Sequence, residues 1–258
     1  MCKHVIIFFG VNYMSFGKDF AQIPQTISCI ELDTKRFLLF CPHHSSAFLH
    51  FAPYSSGWTL LPENALQNLS PLDFGYDFCS PRLLSDGKEI FLSGQMCADE
   101  SFPIGPDLTD DLLCVPRLLH TKGGTLTQSP ASFLNEKREY RRTLTLYDGE
   151  KADTFGVSFE IILDFSQSSF SLMLRDDILI ECDGALFCIS FGKSGMGRKK
   201  RSFNVENSSL LHIFSRRTAI EIFVDGKVFT SRLSDSGLGG IKINTGSCRA
   251  DIYKLKEF

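Results

Sequence analysis

The sequence predicts an all-β chain of two unlike halves: an array of short strands in turn-rich connections, then an antiparallel β-sandwich, with a short helix joining them. Three observations carry this. Short β-branched and aromatic runs recur through the first part, each bounded by Gly, Pro, Asn, Asp or Ser. In the second part about nine alternating runs fall within roughly 100 residues without helical periodicity, the pattern of a sandwich. Between the two, Ser129 stands at a capping position, Pro130 at a first helical position, and Phe133, Leu134 and Lys137 follow at helical spacing.

In chain order, V-I-I-F-F at residues 5–9 reads as a buried strand ended by Gly10 and Asn12, and residues 11–24 carry no clear pattern. R-F-L-L-F at residues 36–40 follows a turn at Asp33, Thr34 and Lys35, with Glu31 and Leu32 leading in. Residues 48–52 form another short strand, and residues 54–71 are rich in loop formers. D-F-G-Y-D-F-C-S-P at 73–81 precedes a turn at 85–88 and a strand at 89–93. A strand ending at Val115 and Pro116, a turn at Lys122, Gly123 and Gly124, and a strand through Leu126 lead to the helix. Beyond it, strands are expected at 155–165, 170–174, 178–182, 185–191, 210–215, 219–224, 227–232, 240–244 and 250–255. I-E-I-F-V at 220–224 alternates, and Asp225 with Gly226 is a two-residue hairpin turn because both residues tolerate positive φ.

With 258 residues, 43% hydrophobic content and a net charge of −3, the chain reads as a soluble globular protein able to bury one large core or two modest ones. That balance offers a polyanion nothing, so no nucleic-acid partner is expected. No run approaches the ~20 apolar residues of a membrane span. The apolar run at 5–9 is too short for a secretory leader. Nine scattered cysteines without C-x-x-C spacing suit a reducing compartment, so a cytoplasmic location is expected, with no disulfide framework.

The stretch at 113–138 carries P-R, then G-G-x-L-x-Q-x-P, then L-x-x-x-R, on Pro116, Arg117, Leu126, Gln128, Pro130, Leu134 and Arg138. It resembles the junction of glycoside hydrolase family 32, the invertases, fructanases and sucrose-6-phosphate hydrolases, where a five-bladed β-propeller hands over to a β-sandwich. Two further segments fit in order. E-L-D-T-K at 31–35 with L-L-F-C-P-H at 38–43 is similar to a segment after the family's acid/base glutamate. I-F-S-R-R-T-A-I-E-I-F-V at 213–224 with T-S-R at 230–232 is similar to its closing domain. The resemblance implies an N-terminally truncated relative: residues 1–127 a partial propeller, the remnant of five blades; 128–142 a linker helix; 143–258 the sandwich.

It also implies a substrate, a fructose-containing carbohydrate, and a site. D-F-G-Y-D-F-C-S-P-R at 73–82 follows the segment that lines the family's fructose site, which puts Tyr76, Asp77 and Phe78 either against sugar or in the packing of a blade. Gln95 stands where a family tryptophan packs, and His43 stands near the rim of the site. The ungapped register places Gln25 at the acid/base position; a gapped one places Ser28 there. Gln has no titratable proton for the leaving oxygen and Ser is no acid in its place, so both registers lose the acid, and Glu31 is expected at a solvated strand position. Retaining hydrolysis needs two carboxyl groups ~5–5.5 Å apart. The family's nucleophile motif N-D-P-N-G and its R-D-P motif do not occur in the sequence. An inactive β-fructofuranosidase-like protein is therefore expected.

Two other readings use the same residues. One is a subunit of a split hydrolase whose exposed blades take a partner chain or self-associate. The other is a carbohydrate-binding or interaction module in which the sandwich does the work. Cys41, His43, His44 and His50 lack the second ligand pair of a zinc site, so neither metal nor cofactor is expected. R-K-K-R at 198–201 is expected to be a solvated loop.

Overall fold

The computed structural model describes residues 5–6, 27–32, 35–40, 50–53, 70–96, 112–206, 208–234 and 239–256. The chain divides into two compact units between Ala131 and Ser132.

The first unit holds two antiparallel sheets among the described residues. In one, β1 (Val5–Ile6), β2 (Ile27–Leu32), β3 (Lys35–Phe40), β4 (His50–Pro53) and β5 (Ser70–Pro71) lie side by side in chain order. Alternation sets its apolar face: Ile30 and Leu32 on β2 and Phe37 and Leu39 on β3 are buried, while Glu31 is half-buried and Lys35 exposed. The other contains β6 (Phe78–Ser85), β7 (Ile90–Met96), β8 (Leu112–Leu113), β9 (Arg117–Lys122) and β10 (Thr125–Pro130), in the order β10-β9-β7-β6 with β8 paired to the end of β7. Gly123 and Gly124 turn β9 into β10 with φ of 60° and 89°, values that cost glycine little.

Among the described residues the second unit holds two six-stranded antiparallel sheets. Its strands are β11 (Arg138–Leu146), β12 (Lys151–Ala152), β13 (Phe159–Phe165), β14 (Ser169–Leu174), β15 (Ile178–Asp183), β16 (Leu186–Phe191), β17 (Arg201–Asn204), β18 (Leu210–Arg216), β19 (Ala219–Val224), β20 (Lys227–Arg232), β21 (Ile241–Thr245) and β22 (Cys248–Leu255). One sheet runs β11-β22-β13-β18-β19-β20 and the other β12-β21-β14-β15-β16-β17. Rings from the two meet: Phe165 stacks on Phe170 at 3.9 Å and Phe191 on Phe229 at 5.9 Å. The buried Arg175 spans them as well, donating to the carbonyls of Arg216 and Arg217 at 2.9 and 3.1 Å. The β19–β20 hairpin turns at Asp225 and Gly226, both at positive φ (49° and 70°), as their sequence predicts.

Several local expectations change. The short helix is a single 3₁₀ helix of six residues, Ser132–Lys137, in which only Leu134 is buried. Ser129 and Pro130 belong to β10, opposite Leu118 and Arg117, so neither opens a helix. Residues 138–142, expected in the linker helix, begin β11: Phe133 is 46% exposed, which leaves no apolar stripe to hold a longer helix, while β22 offers a full ladder of backbone partners. The basic run at 198–201 is not one solvated loop. Arg198 donates to Ser231 Oγ and the Arg232 carbonyl, Lys200 pairs with Glu181 at 3.2 Å, and Arg201 starts β17. Cys79 is disulfide-bonded, where no disulfide framework was expected, whereas Cys114, Cys182, Cys188 and Cys248 are buried thiols outside any disulfide. No helix among the described residues is long and apolar enough to cross a membrane.

Candidate functional site

The D-F-G-Y-D-F segment enters β6, and it is pinned at both ends by one guanidinium. Asp73 begins with a local turn, its Oδ1 accepting the Gly75 N–H at 2.8 Å. Its Oδ2 meets Arg117 Nη2 at 2.8 Å, and neither side chain has any exposed surface (0%/0%). Arg117 Nη1 donates to Gln128 Oε1 at 3.2 Å, and Gln128 Nε2 returns to the Leu72 carbonyl at 2.5 Å. Cζ of the same guanidinium lies over the Phe78 ring, 4.3 Å from its centre. A charge buried this deeply is tolerated only because it is paired and hydrogen-bonded on several sides.

Phe78 also explains a glycine. A Cβ on Gly94 would sit 2.5 Å from Phe78 Cζ and 2.9 Å from the Cys79 carbonyl oxygen, so β7 passes the ring only because residue 94 has no side chain. Phe78 and Cys79 stand opposite Met96 and Gln95. The structure thus sets Phe78, at the start of β6, next to the strand that carries Gln95, with Tyr76 and Asp77 in the segment leading into it. Asp77 and Phe78 are fully enclosed, and Tyr76 and Gln95 are half-buried. Gln25 and His43 lie outside the described residues. Sequence reasoning did not assign Asp73, Arg117 and Gln128 to the site. Their signal was present, since Asp73 opens the sugar-segment motif and Arg117 and Gln128 are junction-motif residues.

The second unit holds a matching anchor. Arg138, the last arginine of the junction motif, donates to Glu160 from Nε at 2.8 Å and Nη2 at 2.5 Å, and its guanidinium lies 4.0 Å from the Tyr253 ring centre. His212 Nε2 completes the set against Glu160 Oε1. Burial pushes the Glu160 carboxyl upward, but the hydrogen bonds and charges of Arg138 and His212 outweigh it and hold the group below the usual glutamate range. Arg216 and the buried Glu221 form a further pair at 2.8 Å. Asp73, Glu160 and Glu221 are therefore each paired with an arginine through charge-assisted hydrogen bonds. No group of three or more metal-ligating side chains occurs among the described residues.

The fold has counterparts among known proteins. The chain is 24% identical over 264 residues to the sucrose-6-phosphate hydrolase of Staphylococcus xylosus, an alignment covering 89% of this chain and 53% of that one. The chain resembles glycoside hydrolase family 32. Its fold is that of the family-32 β-fructofuranosidase of Bombyx mori (TM-score 0.73, 17% identity, 90% of this chain and 54% of that chain). A variant of that enzyme in complex with sucrose matches equally, with TM-score 0.73. The sucrose-6-phosphate hydrolase of Lactobacillus gasseri shares the fold at TM-score 0.72 and 18% identity, over 89% of this chain and 54% of that chain. No family model matches the chain. The chain spans about half the length of the relatives it matches.

Proposed function

We propose that this chain is a β-fructofuranosidase-like protein that binds fructose-containing carbohydrate and does not hydrolyse it unaided. The observation that carries the reading is a mismatch within one motif set. The D-F-G-Y-D-F segment and the junction are kept, whereas N-D-P-N-G and R-D-P are absent from the 258 residues and Gln25 occupies the acid/base register. Losing a general acid costs roughly 10²–10⁴ in rate, and losing the nucleophile costs more. Tyr76, Gln95 and His43 form the sugar-facing set, and Asp77 and Phe78, which have no exposed surface, pack the blade instead. The two sheets of the first unit are propeller blades, the strands from Arg138 onward are the sandwich, and the 3₁₀ helix Ser132–Lys137 links them. The sucrose complex of the Bombyx mori relative supports the choice of ligand. The test is titration with fructose and sucrose beside an assay for sucrose cleavage. Binding at millimolar sugar without turnover supports the reading, and absence of binding removes it.

A second reading rests on coverage. Because the chain spans 53% of its Staphylococcus xylosus relative, a separate chain could supply the nucleophile and the R-D-P aspartate. Even so, a Gln at position 25 leaves no acid for the leaving oxygen, so such an assembly would cleave an activated aryl fructoside far better than sucrose. Size-exclusion chromatography with light scattering distinguishes a self-associating or partner-seeking chain from a lone monomer.

A further inference from the structure

We infer that Arg117 is a positioning residue for the sugar-facing segment: it touches no ligand itself and sets the backbone of residues 73–78 from below. This rests on the reading of that segment as fructoside-facing. The geometry is specific. Asp73 and Phe78 stand five positions apart with Tyr76 and Asp77 between them, and a single side chain holds both ends, one through Nη2 at 2.8 Å and the other through Cζ placed 4.3 Å over the ring centre. The remaining donor end is itself fixed by Gln128, which in turn holds the Leu72 carbonyl just before the segment. Leu72, Asp73 and Phe78 are thus tied to one planar group that lies in β9, a strand paired along its length with β10. A lysine could keep the charge at Asp73 but could not bond Gln128 and cover the Phe78 ring at the same time. Asp73 uses its other oxygen to accept the Gly75 N–H, so the state of the carboxylate is readable at that amide.

The experiment compares Arg117→Lys and Gln128→Met in the full chain with Leu126→Ala, a cavity in the buried part of β10 chosen as the control. Two quantities are read: amide hydrogen exchange and the fructose dissociation constant. In Arg117→Lys, exchange at residues 75–78 should rise roughly tenfold or more while the β9–β10 ladder stays within about twofold of wild type, the mark of a local opening. Fructose affinity should fall by a similar factor, because a small displacement of binding groups is enough to lose it. Gln128→Met, which leaves the ion pair in place, should shift both in the same direction by less. Leu126→Ala should raise exchange across the unit and leave the affinity of the folded fraction unchanged. Unchanged exchange at 75–78 in both Arg117→Lys and Gln128→Met, or a rise spread evenly over the unit, overturns the positioning role. Selective opening in a protein whose wild type binds no fructose would instead leave the positioning role standing and remove the proposed function.

Discussion

Replacing Arg138 by Met strands Glu160. The carboxylate has 1% of its side chain exposed and now receives two hydrogen bonds from the guanidinium, at 2.8 and 2.5 Å. Removing one partner of a buried ion pair costs about 3–5 kcal/mol, because the other charge stays buried. Arg138 is 20% exposed and His212 remains beside Glu160, which places the loss near the lower end, about 3 kcal/mol. The lost contact with the Tyr253 ring at 4.0 Å adds about 0.5–1 kcal/mol. With a urea dependence of about 2 kcal/mol per molar, the unfolding midpoint should fall by roughly 1.5–2 M. Far-ultraviolet circular dichroism at pH 7 measures it, since the second unit is nearly all strand. The double variant Arg138→Met with Glu160→Gln should recover at least about 1.5 kcal/mol of the summed losses, because it leaves no uncompensated charge. The pH dependence has a defined sign. Glu160 is held below its unfolded value, so its contribution is complete above about pH 4.3 and is lost as pH falls through the lower folded value. A midpoint shift under about 0.3 M, or strictly additive losses in the double variant, would refute the claim that this pair is a net anchor.

Two further outcomes test the packing. Gly94→Ala should destabilise the first unit by about 1–3 kcal/mol, since the new methyl would meet the Phe78 ring and the Cys79 carbonyl; an unchanged melting temperature in calorimetry would contradict the close approach. Burial, with the charge of Asp164 second, pushes the Cys248 thiol up to about 12. At pH 8 it should therefore react with a disulfide reagent roughly 100-fold more slowly in the native chain than in urea, and fast labelling of native Cys248 would contradict its burial.

How much of this was legible in the sequence depends on the range of the interactions. Asp225 and Gly226 announce their hairpin because the turn is decided by two adjacent residues, and both take the positive φ it needs. Residues 219–224 and 227–232 are strands at the limits the alternation gives. The same alternation misleads about Glu221. It reads as an outward residue, yet all six residues of β19 are buried and Glu221 is paired with Arg216. Strand β11 was missed because R-E-Y-R-R has no apolar period, and its pairing comes from β22 more than a hundred positions away. The Asp73–Arg117 pair was hidden for the same reason. Each residue belongs to a recognisable motif, but their separation of 44 positions carries no local sign that they meet, and no spacing rule specifies a partner brought in by tertiary structure.

Glucose release from sucrose by the purified 258-residue chain decides whether the proposed loss of hydrolysis is real. The expected rate is indistinguishable from buffer, at a protein concentration and a sucrose concentration where titration shows the sugar to be bound. Turnover that scales with protein concentration would contradict it, and would mean that a carboxyl pair other than those traced in the sequence does the chemistry.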